Sequence, residues 1–306
     1  MYRTVMDEQI RAADLPARAV YDLVRKGFEL HARGQFEFPA KQGVHTRPGA
    51  FTHAMPAYLP SENLAGTKLI SIYPDNAARG LSPSNGVIIM MDPDTGVVST
   101  ILDATWITNI RTAMVSLVDA AHLANPDPVF GILGATGGTG QAHVGAIATV
   151  FPGSRVLVNS RSRERCDALV ADFPEYDGQL VVTMDQEALV KGCDVVIVCT
   201  SHLARPILQP EWLRPGQNVL NVHTRAWPAR VLDAVDVVSC DDRRQVLDAT
   251  NGLTDVFPDL SPDVELGQVV IGTQDGRTSP TQTIMSFNYG LPIFDLLVAD
   301  YVLRSL

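Results

Sequence analysis

The stretch "LPARAVYDLVRKGFELHARG" repeats its apolar residues three and four apart and closes on a glycine, the pattern of a helix with one buried face. From residue 50 to 103 the pattern changes. "TKLISIYP", "NGVIIMMD" and "GVVSTILD" are short apolar runs separated by Pro, Gly, Asn and Asp, which predicts strands joined by turns and an α+β first domain. "TWITNIRTAMVSLVDAAHLANPDP" returns to helical spacing and stops at an Asn-Pro-Asp-Pro breaker, which predicts a connecting helix and a domain boundary. Beyond it, strand candidates at 129–134, 155–159, 180–184, 194–199 and 218–222 alternate with helix-like segments, the βαβ rhythm of a doubly wound parallel sheet. The tail "SPTQTIMSFNYGLPIFDLLVADYVLRSL" ends in another helix-like segment, and periodicity leaves open which domain it packs on.

Composition narrows the function classes. A chain of 306 residues has room for two domains, since single cores stop growing near ~250–300 residues. A formal charge of -10 and the lack of a polybasic tract argue against nucleic acid as a partner. "MYRTVMDEQIRAADL" carries charges where a secretory signal needs apolar residues, and no apolar run approaches the ~18 residues of a membrane span, so a cytoplasmic protein is expected. Cys166, Cys193, Cys199 and Cys240 form no C-x-x-C pair and are expected as buried free thiols; the seven histidines include no H-x-x-x-H, and no metal is expected.

The chemistry starts at "GILGATGGTGQAH", residues 131–143. An apolar run, "VFGILG", delivers the chain into a glycine turn, and "QAHVGAIATVF" continues as a helix. That order puts helix N–H groups and the positive end of the dipole at the turn, where a pyrophosphate binds. The expected cradle is Gly134, Thr136, Gly137, Gly138, Thr139 and Gly140. The next strand ends at Asn159 and Ser160, then Arg161 and Arg163, with no carboxylate to meet a free ribose 2′-hydroxyl. A serine hydroxyl and an arginine fork suit a 2′-phosphate, which favours NADP(H) over NAD(H). The plainer alternative makes the same arginines solvated residues on the first turn of a helix.

Several segments together resemble the ornithine cyclodeaminase and mu-crystallin family: "GTKLISIYPDNAARGL", "GVIIMMDPDTG", "ITNIRTAMVSLVDAAHLA", "CDVVIVCTS", "RPGQNVLNV", "ELGQVVIG" with "GRTS", and "FNYGLPIFDLLVADYV". They run in order from about residue 30 to the end. The resemblance implies a Rossmann-type domain, 120–280, and a discontinuous α+β dimerisation and substrate domain, 1–119 and 281–306, to which the final helix returns. It implies homodimers that bind small amino-acid-like or cyclic imine substrates with NAD(H) or NADP(H). Lys68 falls on the family's active-site lysine and Arg111 on its substrate-carboxylate arginine. Lys41 in "FPAKQG" stands where the family more often has arginine, and Arg47 in "HTRPG" is an equally open substrate-binding candidate. Thr200, Ser201, Val222, His223 and Asn288 are expected at the cofactor.

Two departures bear on the reaction. Two residues, not the family's usual one, separate Gly134 from Gly137, so the turn should differ in its backbone. Cyclodeaminases carry a catalytic aspartate after the fifth strand, whereas "NVHTRAWPARVLD" has no acidic residue between Asn221 and Asp233; with Arg230 and Asp233 it is closer to the mu-crystallin version. Deamination needs a base there, and hydride transfer demands less of one. The expected activity is therefore an NADP(H)-dependent imine or ketimine reductase or amino-acid dehydrogenase, with His223 a possible acid or base. A cyclodeaminase-type lyase and a non-catalytic NADPH-dependent ligand-binding protein are the alternatives.

Overall fold

The computed structural model describes residues 2–200, 203–248 and 252–306. Contacts divide the chain into two compact units, Met1–Arg111 with Gly290–Leu306, and Thr112–Tyr289.

The first unit runs through β1 (Arg3–Val5), α1 (Asp7–Ala12), α2 (Ala17–Ala32), β2 (Gln42–Arg47), β3 (Ala50–Leu59), β4 (Leu64–Ile72), β5 (Ser84–Met91) and β6 (Val98–Asp103). The sheet order is β1-β6-β5-β4-β3-β2, antiparallel except for the parallel β1–β6 pair. On β4, Leu64, Gly66 and Lys68 are buried while Ala65, Thr67 and Leu69 are not, so one sheet face is covered. The C-terminal helix Pro292–Ser305 packs on that face and on α2. Two glycines permit the approach: a Cβ at Gly27 would lie 2.7 Å from the Phe294 ring, and one at Gly66 would lie 2.8 Å from Leu296 and 2.5 Å from the Ile89 carbonyl.

Helix α3 (Thr105–Leu123) leads into the second unit. There β7 (Phe130–Leu133), α4 (Gly138–Val150), β8 (Val156–Asn159), α5 (Arg163–Ala171), β9 (Leu180–Val182), α6 (Gln186–Gly192), β10 (Val195–Val198) and β11 (Asn218–Leu220) form the alternating βα succession. With β12 (Val237–Cys240), β13 (Val264–Glu265) and β14 (Ile284–Phe287) they build an eight-stranded, wholly parallel sheet ordered β13-β12-β14-β11-β10-β7-β8-β9. Every residue of β7, β8, β10, β11 and β14 is buried, which is why these strands read as largely apolar runs.

The fold class is the one expected, α/β with a doubly wound parallel sheet. The sheet nevertheless has three strands beyond the five read from the sequence. Of these, β14 inserts between β11 and β12 and is bonded on both sides. That strand holds the tail in the second unit as far as Tyr289, so the units part at 111/112 and 289/290 where 119/120 and 280/281 were expected.

Candidate functional site

Lys68 sits in the middle of β4, between Met55 of β3 and Ile88 of β5, on the face covered by the C-terminal helix. Only 1% of it is exposed, and its Nζ lies 2.7 Å from Oδ2 of Asp295, itself fully buried on that helix. Arg111 donates Nε–H to Oδ1 of the same carboxylate at 3.0 Å. Gly290 makes room for the guanidinium, since a Cβ there would lie 2.4 Å from Nη1, and its φ of +83° independently favours glycine.

Two buried cations thus share one buried carboxylate. The cluster carries a net positive charge whenever Lys68 is protonated, an environment made for an anionic ligand. Burial, reinforced by the charge of Arg111, pushes the Lys68 ammonium down to about 7 against the pull of Asp295. Burial alone would raise the Asp295 carboxyl, but the charges of Arg111 and Lys68 and their hydrogen bonds hold it below its ordinary value. Lysine near half-protonation at neutral pH can both donate and accept a proton.

Of the other two basic candidates, Lys41 is close enough for its charge to act on Lys68. Arg47, exposed at the end of β2, instead lines a separate cavity of about 440 Å³ with Arg79, Tyr73 and Asp75. The structure therefore gathers Lys68, Arg111 and Lys41 and leaves Arg47 apart. Asp295, the centre of the cluster, was missed from sequence. Its signal was a lone carboxylate in "LPIFDLLVA", a segment otherwise apolar from end to end.

In the second unit, β7 ends at Leu133 and the glycines follow. Gly134 takes φ +81°, and a Cβ there would press to 2.8 Å on the Cys199 carbonyl; one at Gly140 would meet the Gly134 oxygen at 2.5 Å. These two glycines serve close packing. Gly137 differs, because a Cβ there would meet only the Gly134 oxygen at 3.6 Å. It is the N-cap of α4, and no side chain caps that helix. The extra residue between the first two glycines is absorbed in a turn closed by Gly137 N–H donating to Gly134 C=O at 3.2 Å. His143 braces the first turn of α4, donating Nδ1–H to Thr139 C=O at 2.7 Å and accepting from Ser116 Oγ at 2.9 Å; burial pushes its imidazole down to about 4, so it is neutral.

Beside this turn, the hydroxyls of Thr136 and Ser160 are 2.7 Å apart. Arg161 is exposed, and Arg163 pairs with Asp167 one turn along α5. Arg165, not singled out from the sequence, donates to Thr136 C=O at 3.1 Å and so places a guanidinium at the turn. Asn159 gives its amide N–H to Thr183 C=O, leaving the strand end without a carboxylate.

At the carboxyl edge of the sheet, Thr200 follows β10 and Val222 and His223 follow β11, with His223 N–H bonded to Val198 C=O at 2.9 Å. Ser201 lies outside the described residues. Asn288, past β14, donates Nδ2–H to Asp119 at 2.8 Å; its Oδ1, and both amide atoms of Asn221, are buried with no hydrogen-bond partner. An uncapped thirteen-residue helix over an open glycine and orphaned amide groups at the same sheet edge fit a dinucleotide.

The profile of the Ornithine cyclodeaminase/mu-crystallin family matches residues 5–306. The chain is 29% identical to Nodulation efficiency protein NfeD of Rhizobium meliloti, over 98% of this chain and 94% of that one. It is 28% identical to the Ketimine reductase mu-crystallin of Rattus norvegicus, over 83% of this chain and 80% of that one. Among solved structures, Thermococcus litoralis Delta(1)-pyrroline-2-carboxylate reductase, in complex with NADH and L-proline, superposes with a TM-score of 0.87 at 20% identity, covering 99% of this chain and 97% of that one, a likeness of fold.

Proposed function

The chain belongs to the ornithine cyclodeaminase/mu-crystallin family, and from that premise we propose that it is an NADP(H)-dependent oxidoreductase acting on the C=N bond of a small α-imino acid or, in reverse, on the CH–NH bond of the amino acid. The observation that carries the reading is the Lys68–Asp295–Arg111 cluster, with its lysine brought to about 7.

Asp295 engages Nε of Arg111, and the terminal guanidinium nitrogens carry the remaining donors, enough for a bidentate grip on a substrate carboxylate. That carboxylate brings a second negative charge to the two cations and so strengthens proton binding at Lys68. Lys68 then holds a proton for the imine nitrogen, and in the oxidative direction its neutral form takes that proton back from the amine. Lys41 adds positive charge to the same surroundings. The dinucleotide, when bound, supplies or removes the hydride. Gly137 and Gly138 with Thr136 and Thr139 would seat its pyrophosphate on the turn that Gly134 and Gly140 hold closely packed, and Ser160, Arg161 and Arg165 its 2′-phosphate, with Arg163 divided between this role and Asp167. Thr200, Val222, His223 and Asn288 would border the nicotinamide.

Reduction is favoured over deamination because no carboxylate occurs between Asn221 and Asp233 to activate water. The test is a cyclic ketimine carboxylate with NADPH, followed by cofactor absorbance and an ammonia assay. One NADPH should be oxidised per imine, with kcat/KM at least about tenfold higher than with NADH, and ornithine with either oxidised cofactor should release no ammonia. Ammonia from ornithine would overturn the assignment.

Assembly as a homodimer is supported by the uncovered face of the first unit's sheet, where Leu69 is 37% exposed and Thr67, Ile89 and Ile101 are half-buried beside it. Light scattering should return twice the 33.1 kDa of one chain at micromolar concentration, and a monomer would refute the dimer.

A further inference from the structure

We infer that Asn221 reads the carboxamide of the bound nicotinamide. The inference rests on the glycine turn being a dinucleotide cradle, and it names a side chain that fixes the ring.

Asn221 directly follows β11 and Asn288 directly follows β14, parallel neighbours in register through Leu220 and Ser286. Both therefore leave the sheet at its carboxyl edge, the edge at which Gly134 leaves β7 and outside which ligands of open parallel sheets bind. Asn221 is only 3% exposed, yet neither its Oδ1 nor its Nδ2 has a hydrogen-bond partner. Its backbone is held, N–H to Ser286 C=O at 3.0 Å, so the side chain alone is unsatisfied. Asn288 commits Nδ2 to Asp119 and keeps Oδ1 unpartnered. Buried amides almost always find partners, because leaving one unmade destabilises the fold. A primary carboxamide offers two N–H donors and one carbonyl acceptor. Asn221 offers one carbonyl acceptor, Oδ1, and one amide donor, Nδ2, and neither is used within the protein. The two groups are complementary.

The test uses the full chain without substrate and reads binding by calorimetry and unfolding by a thermal scan. The ligands are the tighter-binding of NADP+ and NAD+, its 3-acetylpyridine analogue, which lacks both amide donors, and the matching ring-less adenosine diphosphate ribose. The unmodified protein should prefer the carboxamide over the acetyl analogue by at least roughly tenfold, as sites built on hydrogen bonds do. Asn221→Leu, close in volume and without polar atoms, should bring that preference within about threefold, leave ring-less ligand binding unchanged, and leave the ligand-free midpoint unchanged or higher. A structural asparagine, satisfied by an internal water, would instead lower the midpoint on substitution and keep the discrimination, and that result would overturn the inference. Should Asn221→Leu fail to fold, Asn221→Asp keeps the shape and removes the donor; it should weaken the dinucleotide at least about fivefold and spare the ring-less ligand, and equal loss on both would overturn the inference. Binding of the ring-less ligand without carboxamide preference in the unmodified protein refutes the Asn221 reading alone, whereas no binding of any of the three ligands refutes the cradle and the carboxamide reading with it.

Discussion

Lys68→Ala should lower the turnover of a cyclic ketimine carboxylate by about 10²–10⁴-fold, the usual worth of a positioned acid or base, while leaving dinucleotide affinity unchanged. The cradle lies in the second unit and Lys68 in the first, so the two readouts separate. The pH dependence makes the role specific. Burial and the Arg111 charge bring the lysine to about 7 in the ligand-free protein. Reduction needs the protonated form, so kcat/KM should be level at low pH and fall about tenfold per pH unit above that value. Oxidation of the amine needs the neutral form and should show the opposite limb, rising with pH and levelling above about 7. Lys68→Ala should flatten the inflection in both directions. An unmodified enzyme whose reduction rate is unchanged to pH 9 would remove Lys68 as the proton donor.

The glycine turn was legible in the sequence because its parts are contiguous: a strand, a turn and a helix that lie next to each other in the chain also meet in space. The parallel sheet was legible for the same reason as far as β11. Beyond it, β14 is placed between β11 and β12 although 43 residues or more of intervening chain separate it from either neighbour, and no local pattern encodes such an insertion. Lys68 and Arg111 were marked only by resemblance. Nothing in "LAGTKLISI" tells which alternate face of β4 the C-terminal helix covers, because a glycine and a lysine occupy the buried positions. Asp295 is 184 residues from Arg111, and its meaning appears only when the helix lies on the sheet. The unpartnered amide of Asn221 is invisible to any reading of residue types, since asparagine after a strand ordinarily finds a turn to cap.

Asp295→Asn should destabilise the first unit more than any other single change at the cluster. The amide keeps the shape and one acceptor but removes the only negative charge between two cations that are 1% and 7% exposed. Breaking a buried pair by deleting one partner costs about 3–5 kcal/mol, because the remaining charges stay desolvated; for a unit of this size that is a drop in unfolding midpoint on the order of 10 °C. The same change removes the interaction that opposes burial at Lys68, so its ammonium moves further below 7 and the fall of reduction rate with pH shifts to more acid values. The loss of stability should be partly reversed in the double variant Lys68→Met/Asp295→Asn, since one desolvated basic group is then gone, but activity should not return, since the proton donor is gone with it. Thermal scans and pH profiles of the three proteins decide the matter. An Asp295→Asn protein with an unchanged midpoint and an unchanged pH profile would show that the carboxylate neither balances the two cations nor sets the lysine.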